Sequence, residues 1–299
     1  MRINIGEVVT AMVTPFTDNL EVDYQGVEKV ANHLADNGTD AILVAGTTGE
    51  SPTLTHEEEL EVLKTVKKAV GNRVKIMMGA GSNSTKTAVE ASRQVEEVGA
   101  DAILSVVPYY NKPSQKGLIE HFSQVAEAVN LPIMLYNIPG RTGINMLPET
   151  MAQLAEKYEN IAAVKQSNPD LDLITEIAIK TPDDFLIYSG DDSLTLPMLS
   201  LGGYGVVSVS SHIAGKEIKE MITQYKNGNI EEARAIQHKT YPLFKAMFMA
   251  PNPTPLKAAM QQLEIIQDFV RPPLVVLSEE EKSKLKSVLD SYQKVVSQA

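Results

Sequence analysis

A (β/α)8 barrel carrying a C-terminal helical extension is the architecture this sequence predicts, and three observations predict it. The chain has 299 residues, and about 250 is the usual size of one such barrel, which leaves room for an appendage. Short apolar runs rich in β-branched residues recur eight times, separated by stretches long enough for a helix and its loops. Those runs are apolar on both faces, as parallel strands covered by helices are, and lack the alternation of half-wet antiparallel strands.

The runs occupy residues 8–16, 41–45, 74–79, 102–108, 132–138, 161–164, 185–189 and 205–210. Segments between them read as helices. The one over 55–70 begins with Thr55 and has Glu58 three residues on, a capping-box pattern in which each side chain satisfies a free backbone N–H of the other residue. Leu60, Leu63 and Lys67 mark its faces. Pro148 stands near the start of another helix, where its missing N–H costs nothing. From Lys216 onward the pattern is mostly helical, broken at Pro251-Asn252-Pro253-Thr254-Pro255 and closed by a charged helix over 278–296. The expected division is a catalytic barrel over 1–225 and a helical extension over 226–299. There is no low-complexity segment or extended linker, and the βα period is the only repeat.

Composition narrows the function classes. A hydrophobic fraction of 43% fills a large core, while 5% aromatics and no Trp make Val, Ile, Leu, Ala and Met its packing material. Lys and Arg number 27 against 38 Asp and Glu, a net charge of −11 that disfavours nucleic acid or an anionic membrane as a partner. Any anionic substrate must therefore be held locally. With no cysteine there is no disulfide, thiol nucleophile or thiolate metal site, which fits a reducing compartment. No run approaches the ~20 apolar residues of a spanning helix, and residues 1–6 carry no long apolar segment, so a soluble, cytoplasmic protein is expected.

In such a barrel the active site lies at the carboxyl ends of the strands. Unusual polar residues fall there: Thr47 and Thr48 after the second run, Asn83 after the third, Tyr109 and Tyr110 after the fourth, Tyr136 and Arg141 at and after the fifth, Lys165 at the sixth, Gly190 and Asp191 after the seventh. Burial disfavours an ammonium ion and leaves more neutral amine to attack a carbonyl, which makes Lys165 a candidate imine former. A lysine at a buried strand end also serves as a snorkelling or ion-paired residue. Tyr136 suits a proton relay because its hydroxyl both donates and accepts, or it is a core tyrosine with a satisfied hydroxyl. Thr47 and Thr48, between Gly46 and Gly49, offer hydroxyls and backbone N–H groups to a carboxylate, or form an ordinary turn. Arg141, in Asn137-Ile138-Pro139-Gly140-Arg141-Thr142-Gly143, suits a bidentate carboxylate contact, or is one more surface arginine.

Other signals fail. Gly79-Ala80-Gly81-Ser82-Asn83-Ser84 lacks the last small residue of the dinucleotide fingerprint, no phosphate-loop lysine pattern occurs, and Asp191-Asp192 has no partners at a recognisable metal spacing. The five histidines are scattered. No metal, nucleotide or organic cofactor is expected.

Gly46-Thr47-Thr48-Gly49-Glu50-Ser51, Tyr136-Asn137-Ile138-Pro139-Gly140-Arg141-Thr142-Gly143 and the strand-end Lys165 together resemble the class I pyruvate-dependent aldolase/lyase superfamily, and within it the dihydrodipicolinate synthase family. The likeness runs from about Val8 past Asn252-Pro253-Thr254-Pro255-Leu256-Lys257. Pro108-Tyr109-Tyr110-Asn111-Lys112-Pro113 and Arg141-Thr142-Gly143 match motifs of that family, whereas N-acetylneuraminate lyases and keto-deoxy-gluconate-type aldolases generally lack the arginine. The resemblance implies condensation of pyruvate with L-aspartate 4-semialdehyde through a Lys165 imine, giving 4-hydroxy-tetrahydrodipicolinate for diaminopimelate and lysine biosynthesis. It further implies a relay of Tyr136, Thr47 and a neighbouring subunit's Tyr110, with Thr48 on the pyruvate carboxylate, Arg141 on the semialdehyde carboxylate, and Gly190 and the Val207 carbonyl beside the imine. A homo-oligomer follows, a dimer at least and commonly a dimer of dimers.

Two departures stand out. After Lys165 the chain reads Gln166-Ser167-Asn168-Pro169-Asp170, where the family more often has an acidic residue, small residues and glycine. The family's inhibitory lysine site is near Ser51, His56, Asn83 and Tyr109, and Glu59 here occupies the place of a second histidine, so weak or no inhibition by lysine is expected. The rival readings are a sugar-acid lyase of the same fold, which Arg141 disfavours, and a catalytically silent barrel, which the joint presence of Lys165, Tyr136, Thr47 and Tyr110 disfavours.

Overall fold

In a computed structural model, which describes residues 3–296, eight parallel strands close into a barrel in chain order, β1 pairing with β8. They are β1 Val8–Ala11, β2 Ala41–Val44, β3 Lys75–Gly79, β4 Ala102–Val106, β5 Ile133–Asn137, β6 Ile161–Gln166, β7 Leu186–Ser189 and β8 Gly205–Ser208. The helices are α1 Tyr24–Asp36, α2 His56–Val70, α3 Thr85–Val98, α4 Gln115–Ala128, α5 Pro139–Thr142, α6 Pro148–Lys157, α7 Leu171–Lys180, α8 Thr195–Leu199, α9 Ser211–Lys226, α10 Ile230–Ala246, α11 Thr254–Gln262 and α12 Glu279–Val296. Each of the eight apolar runs contributes one strand.

Alternation along the strands divides the core in two. Val9, Leu43, Met77, Leu104, Met134, Ala163 and Val207 fill the barrel, with Ile3 and Ile5 joining them from the amino-terminal segment. Val8, Ile42, Met78, Ile103 and Val206 face outward into the layer shared with the helices. Both faces of the sheet are dry, which is why the strands read as unbroken apolar runs.

Local signals behave as their chemistry requires. Thr55 caps α2, accepting from the Glu58 N–H while Glu58 accepts from the Thr55 N–H at 2.8 Å, a complete capping box. Pro148 is the first residue of α6. The first run is shorter as a strand than as a sequence pattern: β1 ends at Ala11, beyond which the Val13 N–H is taken by His212 instead of a neighbouring strand and Phe16 turns back to bridge Val22. The sixth run is longer, since Lys165 and Gln166 still pair with Tyr136 and Asn137 on one side and Tyr188 and Ser189 on the other. Lys165 is therefore inside β6 and does not terminate it.

Beyond α9, α10 packs on α9 and α12 packs on α10 and α11, and the segment joining α10 to α11 returns to the carboxyl-end mouth of the barrel, where Phe248 and Asn252 line a cavity. No helix among the described residues is long and apolar enough to cross a membrane.

His212, at the start of α9, joins the ends of β1 and β8. Its Nδ1 donates to the Val209 carbonyl at 2.8 Å and its Nε2 accepts from the Val13 N–H at 3.2 Å, so the fully buried ring is held as one neutral tautomer. Burial holds its pKa down to about 4, against an ordinary value near 6.5. The unfolded chain therefore binds the proton first, and stability present above pH 6.5 is lost as pH falls toward 4, on the order of 3 kcal/mol from this ring. His121, buried and also held near 4, adds to the same slope. Urea unfolding of His212→Asn across this pH range should give a visibly flatter acid limb than the parent, and parallel curves would show that His212 does not titrate there.

Candidate active site

Parallel pairing in register sets Tyr136 beside Lys165 and Lys165 beside Tyr188 on three adjacent strands. Lys165 is 7% exposed, and its Nζ lies 4.3 Å from the centroid of the Tyr136 ring. Among the described residues it has no ion-pair partner, so it is neither a snorkelling surface lysine nor half of a structural salt bridge. Tyr188 aligns with it but donates its hydroxyl to the Gly6 carbonyl at the floor of the barrel, 2.7 Å away. The Tyr136 hydroxyl has no such commitment among the described residues. Of the two aligned tyrosines, only Tyr136 has a hydroxyl free for proton transfer.

Opposite them, Gly46 to Ser51 forms a chain of turns, with the Gly49 and Ser51 N–H groups both donating to the Gly46 carbonyl and the Glu50 N–H to the Thr47 carbonyl. Ala45 and Glu50, on either side, have φ of +52° and +56°, a conformation that costs non-glycine residues roughly 1–3 kcal/mol and persists where surrounding structure enforces it. The N–H groups of Thr47 and Thr48 donate to nothing among the described residues, nor does the Thr48 hydroxyl. Three unspent donors on consecutive residues make an anion-binding concavity.

Arg141 sits on the single turn of α5, where the Arg141 and Thr142 N–H groups both donate to the Ile138 carbonyl and Gly143, at φ +77°, ends the turn. No carboxylate among the described residues pairs with it, in a chain of net charge −11. Asn137 braces this loop to the end of β6. Its Nδ2 donates to Asn145 Oδ1 and Gln166 Oε1 at 2.7 and 3.1 Å, while its Oδ1 accepts from the Met146 N–H at 3.0 Å. The unusual Gln166 is thus part of an amide network.

Gly190 leaves room for its neighbours, since a Cβ there would displace the Ser167 hydroxyl and press on Lys165 Cε. Val207 is in the interior cluster with Tyr136 and Tyr188, whereas Val209, two residues on, lines the cavity. Asp192 braces the fold, because its carboxylate accepts from the Val209 and Ser210 N–H groups at 3.3 and 2.9 Å and fixes the end of β8. Thr47, Thr48, Tyr136, Arg141, Lys165 and Gly190 share a cavity of about 230 Å³, and an adjoining space of about 270 Å³ adds Tyr109. The arrangement can hold a small carboxylate against one amine, with a phenol at hand and a guanidinium at the entrance.

A model of the dihydrodipicolinate synthetase family matches residues 4–292. The chain belongs to that family. A 4-hydroxy-tetrahydrodipicolinate synthase from Heliobacterium modesticaldum is 50% identical over 290 residues, covering 97% of this chain and 96% of its own. One from Bacillus subtilis is 48% identical over 287 residues, covering 96% and 99%. Among solved structures, the dihydrodipicolinate synthase of Cyanidioschyzon merolae with lysine bound has a TM-score of 0.94 at 49% identity, covering 97% of this chain and 98% of that one.

Asp191 also lines the cavity of Lys165, its carboxylate accepting from the Ser193 N–H and hydroxyl at 2.8 Å, whereas Tyr110, Tyr109, Asn83, Ser51 and His56 are not among the residues lining that cavity in this dihydrodipicolinate synthetase family member. Tyr110, at φ +71°, is 89% exposed. Tyr109 is 42% exposed and lines the adjoining space with Pro52. Asn83 accepts on its backbone carbonyl from Asn111 Nδ2 at 2.7 Å, which ties its loop to the tyrosine loop. Ser51 donates to Glu59 at 2.6 Å, and His56 Nδ1 is 3.6 Å from the same carboxylate while its Nε2 bonds Gln94. Burial raises the Glu59 pKa, opposed by the Ser51 hydrogen bond and by His56. Glu59 is committed to groups of its own loop and helix.

Sequence reasoning missed the residues that hold the Gly46–Ser51 turn from behind. Glu50 Oε1 accepts from Lys257 Nζ at 2.6 Å and Oε2 from the Arg271 N–H at 3.0 Å. Lys257, its side chain fully buried, also donates to the Phe269 carbonyl at 2.8 Å and lies 4.0 Å from the Phe16 ring centroid. Arg271 clasps Glu58 with both terminal nitrogens. Burial, which outweighs the attraction of Glu50, holds the Lys257 pKa down to about 8. In the sequence Glu50 and Lys257 stood only as members of the Gly46–Ser51 and Asn252–Lys257 motifs, 207 positions apart, with nothing local to join them. Removing one partner of a buried pair strands the other charge, so Lys257→Met should lower stability by about 3–5 kcal/mol while Glu50→Gln/Lys257→Met costs clearly less. Urea unfolding of the two variants measures this, and equal losses would mean that no stranded charge is involved.

Proposed function

We propose that this chain condenses pyruvate with L-aspartate 4-semialdehyde through an imine on Lys165, giving 4-hydroxy-tetrahydrodipicolinate, a lyase step of diaminopimelate and lysine biosynthesis. The observation that carries the reading is Lys165 itself, a buried amine without a counter-ion, in register with Tyr136 and facing the unspent donors of Thr47 and Thr48. Lys165 Nζ adds to the pyruvate carbonyl carbon, and the oxygen leaves as water with two protons, one delivered by the relay. The iminium acidifies the methyl group, a proton departs, and the resulting enamine carbon attacks the semialdehyde carbonyl, whose oxygen is protonated. The substrate's own amine then displaces Lys165 as the ring closes.

Tyr136 and Thr47 carry the protons, with Tyr110 of a second copy completing the relay. An exposed tyrosine held at positive φ supports that role, which makes a dimer the smallest complete unit and a dimer of dimers the assembly. Thr48 holds the pyruvate carboxylate and Arg141 the semialdehyde carboxylate, with Gly190 and the Val207 carbonyl beside the imine. The setting is cytoplasmic, where both substrates are metabolites.

Borohydride reduction in the presence of pyruvate should leave one adduct per chain, on Lys165, by mass spectrometry, and a coupled assay with aspartate semialdehyde should show turnover. An adduct on another lysine, or none, would refute the imine. Arg141→Ala should retain trapping while losing roughly one to two decades in semialdehyde handling.

We further propose that lysine inhibits weakly, because Glu59 is already engaged by Ser51 and His56. In a steady-state titration, strong inhibition at sub-millimolar L-lysine would overturn this.

A further inference from the structure

Thr48 presents a directional problem. A threonine hydroxyl has one proton and two lone pairs, and it serves a carboxylate only if that proton is not spent elsewhere. Thr48 is 3% exposed, lines the cavity of Lys165 and makes one side-chain hydrogen bond among the described residues, in which its Oγ1 accepts from Asn252 Nδ2 at 3.0 Å. Asn252 comes from the C-terminal extension, 204 residues along the chain, and lines the same cavity.

The opposite amide orientation would put Asn252 Oδ1 against Thr48, consume the hydroxyl proton and strand the two Nδ2 hydrogens. In the orientation found, the buried atom without a partner is Oδ1. An under-satisfied carbonyl is less costly than orphaned N–H donors, so the donor-to-Thr48 orientation is the favoured one. Asn252 thereby occupies a lone pair of Thr48 and leaves its proton for a ligand. Beside it the Thr47 and Thr48 N–H groups are also unspent, so the turn has three donors to offer an anion.

We propose that Asn252 is a positioning residue for the first substrate: by donating to Thr48 it fixes that hydroxyl as a donor and makes this end of the cavity selective for the carboxylate of a 2-oxo acid. This rests on the pyruvate-imine reading given above. Asn252→Asp is the discriminating variant, because it keeps the shape but replaces the donor by an acceptor that takes the Thr48 proton and adds negative charge beside the carboxylate.

The experiment compares the pyruvate concentration needed for half-maximal borohydride trapping on Lys165, and KM for each substrate, in the parent, Asn252→Asp and Asn252→Ala, with thermal midpoints recorded for all. For Asn252→Asp the pyruvate requirement should rise about ten- to a hundredfold while KM for the semialdehyde stays within about twofold. Asn252→Ala, which frees the hydroxyl to rotate without adding charge, should show a smaller rise of the same kind. In a Thr48→Val background the Asp substitution should add less than about threefold, since the hydroxyl it acts through is gone. A pyruvate requirement for Asn252→Asp within about threefold of the parent would overturn the inference alone, as would equal damage to both substrates or a full effect in the Thr48→Val background. Failure of the parent to trap pyruvate on Lys165 would overturn both this inference and the reading beneath it.

Discussion

Closure of the eight-stranded sheet is the constraint on which the molecule depends. When Val9 pairs with Val207 across β1 and β8, the sheet closes and no edge strand remains. All eight carboxyl ends then open onto one mouth. Tyr136 and Lys165 on β5 and β6 become neighbours with strand-pairing precision, and the turns after β2, β5 and β7 bring Thr47, Thr48, Arg141 and Gly190, drawn from a span of more than a hundred positions, to the same mouth. Lys165 and Tyr136 are in contact because ladder register puts them there, a tighter constraint than a loop provides.

A second constraint comes from outside the barrel. The turn that offers its donors to the cavity is bounded by two residues in left-handed conformation, and such a turn needs outside support. The support is the buried Glu50–Lys257 pair, reinforced by Arg271 and stacked against Phe16, together with the Asn252 contact to Thr48. The C-terminal extension therefore does more than cover helices. It forms the back wall of an anion site whose front is barrel, and a buried charge pair there favours one arrangement of the turn over looser ones.

Electrostatics explain how an acidic protein can take acidic substrates. The net charge of −11 repels anions at a distance, but screening limits that field to about 8–10 Å at physiological salt. Inside the mouth, Lys165 and Arg141 have no carboxylate partners among the described residues, while many other cations on the surface are paired. At contact range the unpaired Arg141 guanidinium and the unspent N–H groups of Thr47 and Thr48 are within reach of an anion, where the distant charges are screened.

The sequence by itself determined the barrel. Eight doubly apolar runs at βα spacing admit few other folds, and the capping box of Thr55 and Glu58 and the proline at 148 mark helix starts with chemistry that acts within a few residues. It also disclosed the polar residues at strand ends, because a lysine or tyrosine closing an apolar run is conspicuous against its neighbours. What it did not disclose were the partnerships. That Lys165 is free while Lys257 is paired, that Tyr136 rather than Tyr188 has an uncommitted hydroxyl, that Gln166 belongs to an amide network, and that Asn252 polarises Thr48 all depend on contacts between distant segments. Local composition carries no trace of which buried lysine meets a carboxylate, since burial and pairing are properties of the assembled core; only the closed barrel, with its extension folded across the mouth, decides them.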